Sequence, residues 1–199
     1  MKKYFALLVA TLFIVGCDKE NSDITAEPTP DPEPSAKSYQ IGDLYDKDGV
    51  KGLVFRVNED GESGLIVSLT EPEQMKAWST EFITTDATVR NCGEQNTALI
   101  YTLQDWQGKY PAFVWCKSLG SGWYIPSIDE LRELLIIGSG NSFAHAIYNH
   151  KATPFAKDYH YLSSTEMDQW WVYTVDAKSH NQSANYKQYT YHVRAIHSF

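Results

Sequence analysis

Prolines at 28, 30, 32 and 34 alternate through the stretch DKENSDITAEPTPDPEPSAK, which runs from Asp18 to Lys37 with six acids and almost no large apolar residue. A segment of this kind cannot bury a core, and alternating proline with like charge favours extended, polyproline-like chain. Whatever folds must therefore lie beyond it, from about Ser38 to Phe199. That leaves one domain's worth of sequence in a chain of 199 residues, 43% of them hydrophobic and 14% aromatic. Such a composition is too rich in apolar residues for a disordered protein. The formal charge is −8, of which the first 16 residues contribute +2 and the acidic stretch −4, leaving −6 for the domain. No dense Lys/Arg run follows the first three residues, so nucleic acid and anionic lipid surfaces are poor partners.

Upstream, Lys2 and Lys3 precede an apolar run from Tyr4 to Val15 that ends at Gly16 and Cys17. The run is too short to span a bilayer and fits the basic and apolar parts of an export signal. A small residue followed directly by Cys resembles the bacterial lipobox. We expect residues 1–16 to be a lipoprotein signal peptide, Cys17 to be lipidated, and residues 17–37 to be an acidic, Pro-rich tether. Several acyl chains on one residue give durable attachment where a single chain is marginal. The expected location is the outer membrane, facing either the cell surface or the periplasm, with membrane contact through the anchor alone.

In the domain, strand formers at Gly52–Val57 and Gly64–Leu69 flank Glu59-Asp60-Gly61, which predicts a hairpin. The earlier Asp46-Lys-Asp48-Gly49 turn is no calcium loop, because Leu44 and Phe55 occupy the first and closing ligand places. Leu99, Leu103 and Trp106 form one candidate helical stripe, and Pro111–Leu119, ahead of Gly120, forms another helix. Ser127 stands three residues before Glu130, a capping-box spacing, and Leu131, Leu134 and Leu135 follow as a buried stripe. A short helix is expected around Phe143–Tyr148, then strands at Tyr159–Thr165, Trp170–Asp176 and Tyr191–Phe199. Strands, helices and strands in that order argue for an α+β domain over 38–199, with antiparallel strands and two or three helices packed on them.

Cys92 and Cys116 are either a disulfide or two free thiols. A bridge would close a loop of about 24 residues and stabilise by roughly 3 kcal/mol, whereas the neighbours Phe113, Val114 and Trp115 favour a buried, unpaired Cys116. His145 and His150 are five apart, as are His192 and His197, so neither pair shares a helix face or a strand face. No metal site or cofactor is expected. Glu71 with Glu73, and Asp129 with Glu130, are accounted for by turns and a helix start. No phosphate loop, nucleophile elbow or Ser-x-x-Lys pair occurs, and the chain does not read as an enzyme.

The last 41 residues hold nine of the 27 aromatics and four of the six histidines. Within them Lys178–His192, KSHNQSANYKQYTYH, has three tyrosines and no Val, Ile, Leu, Met or Phe. Tyr offers large contact area with few rotors, and Asn and Ser adapt their hydrogen bonds, which is the chemistry of binding loops. An exposed hairpin that is polar only because it is wet would look similar. Trp170, Trp171 and Tyr173 weigh against that blander reading. Alternation sends Trp171 and Tyr173 to one face and Trp170 to the other. The expected ligand contacts are Trp170, Trp171, Tyr173, His180, Asn181, Asn185, Tyr186, Gln188, Tyr189 and Tyr191, and the expected ligand is a protein or glycan.

Three segments in order, Gly122-Trp-Tyr-Ile-Pro-Ser-Ile-Asp-Glu-Leu131, Tyr161-Leu-Ser-Ser-Thr-Glu166 and Val193-Arg-Ala-Ile-His-Ser-Phe199, resemble the signature of bacterial exported proteins of the Lcl C-terminal-like, or major-paralogous-domain, family. The similarity spans roughly residues 40–199. It implies a C-type lectin-like fold, with Trp123, Ile125, Leu131, Val193 and Ala195 in the framework and the polar stretch before Val193 free to vary. The ending also resembles the variable proteins of diversity-generating retroelements. Eleven of the fifteen residues of Lys178–His192 have codons with a central adenine, as adenine-targeted diversification requires and as any polar loop also shows. The chain departs from calcium-dependent lectins in lacking Glu-Pro-Asn or Gln-Pro-Asp before the last strands, so calcium-mediated sugar binding is not implied. It departs from formylglycine-generating enzymes in having no cysteine pair near its end. An adhesion or recognition module is the function these features imply, and a structural subunit of an envelope or fimbrial assembly is the alternative.

Overall fold

A computed structural model describes residues 38–199; the expected signal peptide, lipidation at Cys17 and tether fall outside the described residues. In chain order come β1 (Leu44–Lys47), β2 (Val50–Val57), β3 (Gly64–Ser68), β4 (Lys76–Ala77), α1 (Gly93–Thr102), α2 (Trp106–Lys109), α3 (Pro111–Ser118), α4 (Ile128–Gly138) and α5 (Asn141–Asn149). They are followed by β5 (His160–Glu166), β6 (Trp171–Asp176), β7 (Gln182–Tyr186), β8 (Thr190–Tyr191) and β9 (Ile196–Ser198).

The expected hairpin is β2 paired antiparallel with β3, with Val57 opposite Gly64. Asp60 organises its turn by accepting from the amides of Glu62 and Ser63. β1 extends this sheet on one side and β9 on the other, in the order β1-β2-β3-β9, so the last strand pairs with β3 of the opening hairpin. Leu53, Val54 and Phe55 are all buried because both faces of the sheet are covered. Leu53, Phe55, Leu65 and Val67 pack against α4 and α5 through Leu134, Phe143 and Ile147. Val54 and Ile66 face the larger core of Trp78, Tyr110, Phe113, Trp123 and Ile125. Arg56 ties the same sheet to α4 through a two-point ion pair with Glu133.

The helices show where spacing sufficed and where it did not. Ser127 and Glu130 form the capping box, and Glu130, itself buried, also accepts the Gly93 amide at 2.8 Å. Gly93 starts α1 so close to the 125–127 backbone that a Cβ there would lie 2.3 Å from the Ile125 carbonyl oxygen. The stripe Leu99, Leu103 and Trp106 is not one helix. Thr102 closes α1 by donating its hydroxyl to the Leu99 carbonyl, Leu103 turns extended, and Asp105 adopts φ +56° before α2 begins. Leu103 and Trp106 still pack against the core, so apolar spacing survives where the helix does not.

β5, β6 and β7 form a separate antiparallel sheet with β6 in the middle. The expected strand Tyr191–Phe199 is interrupted: β8 pairs with β4, and β9 resumes at Ile196. Between them Arg194 is buried, bonding Glu71 at 2.9 Å, the Ser68 carbonyl at 2.6 Å and the Thr153 carbonyl. Strand pairing gives way there to a guanidinium that joins the end of β3 and the segment after it to the backbone at Thr153. Trp123, Ile125, Leu131, Val193 and Ala195 are all buried. The described residues thus make one mixed α+β domain, with several antiparallel sheets and helices packed on them.

Candidate functional site

β6 and β7 pair in a register that sets Trp171 opposite Tyr186 and Tyr173 opposite Ala184. Directly opposed residues share a face, and the Trp171 and Tyr186 rings stack with centroids 4.2 Å apart and planes at 22°. Tyr189 meets Tyr186 edge-on at 5.3 Å. Phe82, from the segment after β4, lies 4.7 Å from Trp170 and 6.1 Å from Tyr186. The five rings make a continuous surface around a cleft of about 640 Å³ whose remaining wall is Gln188, and no charged side chain lines it. Trp170, Tyr186 and Tyr189 are 43%, 36% and 61% exposed.

Strand alternation assigned Trp170 to the face opposite Trp171. Trp170 instead precedes β6, in a turn where the Asp168 carboxylate accepts the amides of both Trp170 and Trp171, at 2.7 and 2.9 Å. Outside the strand the two-residue period no longer applies, and both indoles enter one cluster.

The cleft is anchored from below by Lys187, between exposed Tyr186 and Gln188 but itself fully buried. Its ammonium meets the Glu166 carboxylate, donates to the Ile83 carbonyl at 2.8 Å and lies 4.6 Å from the Trp78 ring centroid. Glu166 also accepts the amides of Thr85 and Asp86. Burial pulls the Lys187 ammonium below its ordinary range, and Glu166 works against that shift. The pair clamps the 83–86 segment, and with it Phe82, to β5 and to the turn carrying Tyr189. Gln188 adds a bond from its side-chain amide to the Thr80 carbonyl at 2.8 Å.

The other expected contact residues are dispersed. Tyr173 continues the face of Trp171, under the Arg90 guanidinium at 4.9 Å. Arg90 also donates to Gln182 at 2.8 Å. His180, at φ +57°, and Asn181 form the turn at the far end of the β6–β7 hairpin. That turn is four residue pairs from Tyr186, about 13 Å along the strands, so it does not join the cleft. Asn185 points to the inner face, donating to Thr174 at 2.7 Å and Ser183 at 3.1 Å. Tyr191 is a correction: it is 7% exposed, sits in the main core and donates its hydroxyl to the Tyr186 carbonyl at 2.8 Å. The reason is β8, which turns Tyr191 inward toward Trp78 and Val193. Phe82 and Lys187 escaped the sequence reading. Phe82 is over eighty residues from the other rings, and Lys187 lies within a stretch that reads as wet.

Cys92 and Cys116 are both free thiols. Cys116 is fully buried, and burial pushes its thiol up to about 12. Among the described residues no group of three or more His, Cys, Asp and Glu is arranged to hold a metal ion. Glu71, far from pairing with exposed Glu73, accepts from Arg194 and Tyr161 and contacts His192 at 2.8 Å. That cluster ties loops together, and its partners occupy the carboxylate.

No protein-family model matches the chain, and no curated protein matches it.

Proposed function

We propose that the protein is a recognition module that captures a glycan or protein ligand at the cleft of Phe82, Trp170, Trp171, Tyr186, Gln188 and Tyr189, held in the cell envelope by a lipid on Cys17. One observation carries the reading: five contiguous rings, three substantially exposed, border an uncharged cleft that a buried ion pair holds in place. Aromatic clusters with a rigid base supply large contact area at small entropic cost, which is how recognition surfaces concentrate binding energy. An uncharged lining favours sugar faces or apolar side chains over ionic groups. The C-type lectin-like assignment draws support from the pairing of the last strand, β9, with β3 of the opening hairpin and from the irregular half that bears the cleft. The sequence resemblance adds to it.

If codons of Lys178–His192 are diversified, Lys187 and Tyr191 must be held constant, since both are core residues. A template repeat and reverse transcriptase beside the gene would support that extension, and their absence removes it without touching the cleft.

The second reading, a structural subunit of an envelope or fimbrial assembly, is favoured by β7, which is an edge strand of its sheet and so a place where another chain could add a strand. Glycan and protein arrays probed with the purified protein test the first reading. A ligand lost on Trp170→Ala with Tyr189→Ala, at unchanged melting temperature, supports it. Retention of that ligand by the double variant overturns it. Stable co-migration with one abundant envelope protein in crosslinking and size-exclusion experiments would favour the second.

A further inference from the structure

The C-terminal end of α4, the length of α5 and the 151–157 segment enclose a second cavity, of about 730 Å³, which shares no lining residue with the aromatic cleft. Its interior is apolar, with Leu135, Ala144, Ile147 and Phe155 among the walls. Phe155 is held firmly: its ring meets Tyr161 edge-on at 5.7 Å, and the Arg194 guanidinium stands 4.6 Å from its centroid. Gly138 makes room for that ring, since a Cβ there would come within 2.6 Å of it.

Lys151, Lys157 and Lys178 line the same cavity, and no carboxylate does. In a domain of net charge −6, three cations around one apolar hollow stand out. Among the described residues Lys151 and Lys157 make no ion pair, and Lys178 has only a loose, exposed contact with Asp158 at 3.7 Å. Lys151 takes φ +53° in the residue after the α5 C-cap, a place that Gly or Asn usually fills. A lysine held there at conformational cost fits a clamp better than a plain helix stop.

We propose that this cavity binds a small anionic amphiphile, an apolar chain or ring seated against Phe155 and Ile147 with its carboxylate at the lysines. The volume falls within the range of small-molecule sites, which pair apolar walls with a few placed polar groups. A neutral apolar ligand would fill the hollow but leave the lysines unused, and a cation would be repelled.

Calorimetric titration of the purified protein with decanoate, decanol and decyltrimethylammonium tests this. Decanoate binds saturably, decanol at least about tenfold more weakly, and the cation not at all. The surface variant K151Q/K157Q/K178Q loses about tenfold or more in decanoate affinity while its decanol affinity stays the same. Ala144→Trp, which fills the hollow from an exposed helix position, removes both. Equal affinity for decanoate and decanol, decanoate binding unaffected by the lysine changes, or no saturable binding up to about 1 mM would each overturn the proposal. Lysine-dependent sedimentation with phosphatidylglycerol vesicles but no decanoate binding would also overturn it, in favour of a lipid surface.

Discussion

The Lys187 ammonium lies against the Glu166 carboxylate with no solvent on either side chain, one residue away from an exposed tyrosine of the cleft. A buried pair of this kind contributes little net stability when intact, but removing one partner strands the other charge. Lys187→Met alone should cost about 3–5 kcal/mol. Adding Glu166→Gln, which can still accept the Thr85 and Asp86 amides, should restore part of that. Urea denaturation of the two single variants and the double variant measures the coupling, and strict additivity would show that the pair is not acting as a unit.

Tyr189 and Tyr191 of the polar stretch should separate in a stability assay. Tyr189→Ala changes an exposed ring and should stay within about 0.5 kcal/mol of the parent. Tyr191→Ala should cost about 3–5 kcal/mol because it empties a core position. Tyr191→Phe removes only the bond to the Tyr186 carbonyl and should cost about 1 kcal/mol. Melting temperatures rank the three, and a Tyr191→Ala protein as stable as Tyr189→Ala would contradict the placement of that ring.

Thiol chemistry should distinguish the two cysteines of the domain. Cys92 is partly exposed and should alkylate in the native protein, whereas Cys116 should react only after denaturation. Peptide mapping after iodoacetamide treatment reads this directly. A peptide pair linked through both residues would mean that oxidation can join them.

Alkaline pH should destabilise the fold through its buried acids. Burial pushes Tyr110 and Tyr191 up to about 12, while tyrosines of the unfolded chain ionise near about 10. Between those values the native state holds more protons than the unfolded state, so stability declines as pH rises. The contribution is complete below about pH 10 and lost through about pH 12. Denaturation midpoints at successive pH values, with phenolate absorbance followed in parallel, should show unfolding and a late tyrosine step together. A midpoint that holds steady through this window would contradict it.

Local patterns in the sequence determined much of this protein. The β2–β3 hairpin followed from two runs of strand formers around Asp60-Gly61, and the start of α4 from Ser127 and Glu130. Both depend on residues close in sequence whose hydrogen bonds or turn geometry are self-contained. The richness of rings around Trp170, Trp171, Tyr186 and Tyr189 was legible too, because composition survives folding. Tertiary structure alone decided which rings form the cleft. Tyr191 went inward because β4 pairs with β8, and Phe82 joined from over eighty residues away because Lys187 and Glu166 hold its segment in place. Lys187 sits in a polar stretch yet is buried, since what permits its burial is a carboxylate contributed by β5. Long-range pairing of that kind leaves no periodic trace, so spacing could show neither where the cleft lies nor what supports it.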